Sequence, residues 1–173
     1  MAWDSTMRIV EGKTDEEMAH IVYARFVNGD TKSGTKYSLG GLYVHQFVTK
    51  VSKSACQRIL RVDPQAVVQG KGVEYRRLQV RKMGITREHV IPLSALYGFF
   101  LKLYKCAELS EKHILDFMPK LKIALISNEE NKQFARVHLT RNMPNGWWEN
   151  GAIDPFERYR AAGLNDDIWV TDW

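Results

Sequence analysis

The run Arg87-Glu88-His89-Val90-Ile91-Pro92-Leu93-Ser94 sets a carboxylate beside an imidazole and closes the pair off with two β-branched residues and a proline. Val90 and Ile91 favour extended backbone. Pro92 cannot donate to a sheet ladder, and it pushes Ile91 out of the helical region. The pattern predicts a short strand that delivers Glu88 and His89 together and then stops. An imidazole with an ordinary pKa near 6.5 is a good proton acceptor at neutral pH. A carboxylate is a hard oxygen donor of the kind Mg2+ and Mn2+ prefer. Further along, Lys122-Ile123-Ala124-Leu125-Ile126-Ser127-Asn128-Glu129-Glu130-Asn131-Lys132 reads as a second strand running into a helix, with Asn131 in its first turns.

These two pieces resemble the HNH, or His-Me finger (ββα-metal), endonucleases. Glu88-His89-Val90-Ile91-Pro92 matches the family's first strand, and Leu125 to Lys132 matches the second strand and the helix that carries the last ligand. The likeness is to the branch whose final ligand is Asn, and it covers roughly residues 84 to 138. It implies one divalent cation, Mg2+ or Mn2+, held by the Glu88 carboxylate and the Asn131 amide oxygen, with water and phosphate oxygens completing the shell. His89 would be the general base, facing the attacking water from the other side of the strand. Lys132 and Arg136 would contact phosphate oxygens and stabilise developing charge, which puts Lys132 beside His89 among the catalytic groups. Asn128 and His138 are rival ligands near the strand-helix junction. The family's middle Asn has no clear counterpart, since the second strand opens with Lys120-Leu121-Lys122.

The 173 residues carry a net charge of +5, and its distribution says more than its sum. Lys50 to Arg87 holds ten Lys or Arg against Asp63 and Glu74, a local excess of +8. Asn145 to Trp173 holds Arg158 and Arg160 against six acids, a balance of −4. A basic block just ahead of the candidate site suits a polyanionic substrate, although such a block is also what an ordinary solvated face looks like. Arg76, Arg77, Arg81, Lys82, Arg87 and Arg136 are the candidate nucleic-acid contacts. They would track the sugar-phosphate backbone, and the arginines have the fork that reads guanine edges. No run of about eighteen apolar residues exists to span a membrane. The opening Met1-Ala2-Trp3-Asp4-Ser5 lacks the form of a signal peptide. Cys56 and Cys106 are too far apart for a Cys-x-x-Cys zinc knuckle. A reducing cytoplasm is the expected setting.

The elements that must position the site follow from local signals. Thr14-Asp15-Glu16-Glu17 is a capping box ahead of a helix through Met18, Val22 and Phe26, ending near Asn28-Gly29. Asp30 to Gly34 reads as a turn and Tyr37 to Thr49 as a strand. Ser52 caps a helix carrying Ala55 and Ile59, which Asp63-Pro64 breaks. Val73 to Lys82 alternates as a strand with a basic side. Gly84 turns the chain into the Glu88-His89 strand. Ser94 and Ser110 cap two helices, the second closed by Met118-Pro119, as a long insert between the motif strands. Ser127-Asn128-Glu129-Glu130 is another capping box, with Phe134 and Val137 inward and Lys132, Arg136 and His138 outward. Asp154-Pro155 starts a last helix that Gly163 ends, and the tail from Ile168 packs back on the body.

The expected fold class is α+β: a ββα-metal finger core with a long helical insert between its strands, an N-terminal α/β extension and a C-terminal helix. Residues 1–83 form a basic recognition or dimerisation region, 84–142 the core, and 143–173 a helix and Trp-rich tail. The expected activity is metal-dependent hydrolysis of double-stranded DNA, of restriction type, with a homodimer allowed. A low-specificity toxin or effector nuclease acting on DNA or RNA is one alternative. A non-catalytic nucleic-acid-binding module, in which Glu88 and His89 are structural, is the other.

Overall fold

Three short strands meet in one mixed sheet in a computed structural model that describes residues 12–43, 48–59, 82–148 and 153–170. The strands are β1 (Val48–Val51), β2 (Ile85–His89) and β3 (Ile123–Ser127), in the order β1-β3-β2. β1 runs parallel to β3, with an irregularity between Val48 and Lys50. β2 runs antiparallel to β3, pairing Ile85 with Ser127, Arg87 with Leu125, Glu88 with Ala124 and His89 with Ile123. β3 is buried along its whole length. That burial is why its sequence is a continuous apolar run with no in-out alternation.

Among the described residues seven α-helices surround the sheet: α1 (Asp15–Val27), α2 (Lys32–Gly41), α3 (Lys53–Ile59), α4 (Leu93–Lys105), α5 (Glu111–Phe117), α6 (Asn128–Arg136) and α7 (Glu157–Ala161). The class is α+β, with the helical pair α4–α5 inserted between β2 and β3. One core joins α1, α2, α4 and α5 around Phe26, Leu39, Phe100 and Phe117. A second, small cluster packs Ala55 and Ile59 of α3 on Ile85 and Leu125. A third, on the other face of the sheet, gathers Val90, Ala124, Ile126, Phe134, Tyr159, Leu164 and Trp169.

Both capping boxes form. Thr14 closes with Glu17, and Ser127 with Glu130. Ser52 Oγ accepts from the Ala55 amide, and Gly84 turns at φ +68° into β2. Trp169 is buried and bridges to Ser52, so the tail does pack on the sheet through Val170.

Five expectations need correction. The last helix does not start at Asp154-Pro155: these residues form a turn in which Asp154 Oδ1 accepts from the Phe156 amide, and α7 begins at Glu157. The segment from Tyr37 to Thr49 begins as helix, since residues 32–41 are helical; Val48–Val51 is a strand, and 44–47 lie outside the described residues. Thr31, expected within a turn, caps that helix by accepting from the Gly34 amide. Buried Thr35, Ser38, Leu39 and Gly40 give α2 an inward face of small residues, and α4 lies close, with Leu93 about a van der Waals contact from where a Gly40 Cβ would stand. Ser94 does not cap α4. Pro92 occupies the cap, and Ser94 Oγ instead accepts from Lys36 Nζ at 2.6 Å. Val137 is exposed, because α6 ends at Arg136 and the chain then turns through His138 at φ +59°. The strand expected over Val73 to Lys82 lies outside the described residues except for Lys82, as does the Asp63-Pro64 break.

Candidate active site

Glu88 and His89 occupy the C-terminal end of β2, which pairs with β3 and ends the sheet among the described residues. Successive residues of a strand face opposite ways, and their surroundings confirm it. Glu88 shares its side of the sheet with Ala124, Ile126 and the third core cluster. His89 faces the helical core, where its ring lies 4.4 Å from the Tyr43 ring. Tyr43 is fixed in turn by its hydroxyl, which donates to the Ile91 carbonyl at 2.7 Å.

The Glu88 carboxylate does not stand alone. Arg158 Nη2 donates to Glu88 Oε1 at 2.7 Å and to the His89 carbonyl at 2.9 Å. Its Nη1 reaches the carbonyls of Leu139 and Thr140 at 3.3 and 3.5 Å. The Arg158 side chain is 0 % exposed, and the carboxylate opposite it is 19 % exposed. The guanidinium also stacks over the Phe134 ring of α6 at 4.2 Å. Burial lifts the Glu88 carboxyl above its usual pKa, and Arg158 pulls it back down. Burial drives the His89 imidazole down to about 4, helped by the Arg87 and Arg158 cations. His89 is therefore neutral, with a lone pair to offer, through the whole neutral range.

Ser127 fixes where α6 starts, and Phe134 fixes which side of it faces the sheet. Asn131, partly buried, lies one turn before Phe134 and on the same side of the helix. Lys132 is two residues from Phe134, so it projects from the opposite, exposed side. Arg136 is exposed and donates to Gln133 Oε1. Asn128, the rival ligand, has its amide oxygen taken by the Thr86 hydroxyl at 2.9 Å. His138 is exposed in the turn after α6. Arg87 and Lys82 are exposed on and just before β2. Arg76, Arg77 and Arg81 lie outside the described residues. The structure thus gathers Glu88, the His89 backbone, Arg158 and the Phe134 face of α6, while Lys132 stands apart from them.

The donor chemistry bears on the implied cation. No group of three or more His, Cys, Asp or Glu gathers among the described residues. The oxygen donors that the resemblance assigns are the Glu88 carboxylate, whose Oε1 already accepts from Arg158, and the Asn131 amide. Such a sparse set fits Mg2+ or Mn2+ held mainly by water and substrate phosphate, as hard ions that dehydrate reluctantly commonly are. It does not fit an ion caged by protein alone.

Arg158 and Tyr43 are the residues that sequence reasoning missed. The one signal for Arg158 was an arginine flanked by Phe156 and Tyr159 in a short helix, where a buried cation would need an acid. No protein-family model matches the chain, and neither a curated protein nor a solved structure matches it. The resemblance to the HNH nucleases therefore rests on the motif residues themselves. No helix among the described residues is long and apolar enough to cross a membrane.

Proposed function

We propose that this chain is a metal-dependent endonuclease of the HNH, or ββα-metal, type, with duplex DNA as its substrate. The observation that carries the reading is the antiparallel β2–β3 pair followed at once by the capped helix α6, whose Phe134 side packs over the face bearing Glu88. Glu88 through Oε2 and Asn131 would hold Mg2+ or Mn2+. A bound ion would supply Lewis-acid and template chemistry at the scissile phosphate. A phosphate at the end of β2 would address Glu88 from one face and His89 from the other. His89 in its neutral form accepts the proton of the attacking water. The approach of a phosphate anion raises its pKa from the depressed value toward that of a competent base. Arg87 and Arg136 contact flanking phosphates, and Lys132, on the outer side of α6, contacts the backbone away from the reacting group.

The test is cleavage of supercoiled plasmid with and without Mg2+ or Mn2+. His89→Ala is expected to abolish cutting while retaining binding. Normal cutting by that variant sinks the assignment. Discrete fragments indicate a restriction-type enzyme, and a smear indicates a low-specificity toxin or effector.

A second reading, a nucleic-acid-binding module without catalysis, is favoured by one feature. The Glu88–Arg158 ion pair would lock the fold equally well if Glu88 had no other duty. Salt-sensitive binding with no metal-dependent cleavage selects it.

A further inference from the structure

Arg158 touches more parts of the candidate site than any residue predicted for it. Through one planar group it meets the Glu88 carboxylate and the His89 carbonyl on β2, the Phe134 ring on α6, and the Leu139 and Thr140 carbonyls that follow α6. Packing alone does not explain it. A buried cation is a poor filler, and an apolar side chain of similar volume often serves a core as well or better. A lysine would bring a point charge. The guanidinium fork puts Nη2 on β2 and Nη1 on the carbonyls after α6, while the same planar group lies over a ring. Among the described residues its Nε has no hydrogen-bond partner, so the group is not placed for the fullest satisfaction of its own donors. The geometry instead favours the two Nη groups, which face β2 and the post-α6 turn.

We infer that Arg158 is a positioning residue: it fixes the Glu88 carboxylate and the end of β2 against α6, and so makes the segment around α7 a required part of the site. The inference rests on the nuclease reading for its functional consequence, but not for its structural one. Without the fork, Glu88 loses its Arg158 contact, and the β2 end is left with its β3 ladder, the Val90 amide bond to Lys122 and the Tyr43 hydroxyl on the Ile91 carbonyl. Groups that orient a ligand from behind typically contribute 10–100-fold to metal affinity or activity.

The experiment compares the full chain with Arg158→Lys and Arg158→Met by hydrogen-deuterium exchange and plasmid cleavage. The expected result is exchange over residues 85–91 at least about tenfold faster in both variants, with α1 and α4 within about twofold of the parent. Unchanged exchange over β2 in Arg158→Lys overturns the inference. Uniform acceleration across all elements also overturns it, since that marks a general stability residue. If Arg158→Met does not fold, Arg158→Lys alone decides, because it keeps the charge and most of the stem. In cleavage, Arg158→Lys should lower kcat by about 10–100-fold at a KM within about twofold. A loss in KM alone overturns the positioning role. If the parent chain cuts nothing, the nuclease reading falls, and the exchange pattern still decides the clamp.

Discussion

Acid should weaken this fold through His89, by an amount the structure sets. Buried beside Tyr43 and flanked by the Arg87 and Arg158 cations, the imidazole has a folded-state pKa of about 4, against about 6.5 in an unfolded chain. The folded state therefore favours the neutral ring. The contribution is fully present above pH 6.5 and is lost as pH falls from about 6.5 through about 4, because the unfolded chain takes up the proton first. At about 1.36 kcal/mol per pH unit the ceiling is about 3 kcal/mol. The residue as a whole is only partly buried, and solvent screening trims that figure. The perturbation is His89→Phe, which keeps a ring against Tyr43 and cannot titrate. Urea unfolding at intervals from pH 7.5 to 4.5 gives ΔG for each protein. Glu88, whose raised pKa acts in the opposite sense, is common to both and cancels to first order in the difference. The parent is expected to lose about 2 kcal/mol more than His89→Phe over that range. Parallel pH profiles would refute the buried-imidazole argument.

Removing one partner of the Glu88–Arg158 pair strands a buried charge. Arg158→Met should cost about 3–5 kcal/mol in chemical denaturation, and adding Glu88→Met should recover much of it; an additive double variant would show that the two groups do not interact. Ser127→Ala removes the hydroxyl that accepts from the Glu130 amide, and should lower stability by about 1 kcal/mol. An unchanged melting temperature would mean that Glu130, which Ser52 also holds at 2.6 Å, carries the start of α6 by itself. Lys132→Ala and Arg136→Ala should each reduce the slope of log K against log salt by about one without altering the fold, read by fluorescence anisotropy on a labelled duplex.

What was legible in the sequence was local. Thr14 with Glu17, and Ser127 with Glu130, are short-range devices whose partners lie three residues apart, so both boxes could be read directly. Val90, Ile91 and Pro92 likewise announced where β2 stops. The helix α2 was missed because Gly40, Gly41 and the aromatic residues around them carry strand-like preferences, while α4 and α1 packing decides the outcome. The chemistry of the site was legible only as residue types. Glu88 and Arg158 are seventy positions apart, and nothing near either one announces the other. The state of His89 depends on Tyr43, which belongs to the stretch whose structure was misread.

The sheet is wired in an order that differs from its order along the chain. β1 and β2 are both made before β3, yet neither pairs with the other, and β3 lies between them. During synthesis the first two strands must wait for the edges of a third that arrives only after α4 and α5. Such late, long-range closure is slow, and waiting edges invite pairing with a neighbouring chain. Crowding during expression should therefore punish substitutions in Ile123–Ser127 more heavily than their equilibrium cost implies.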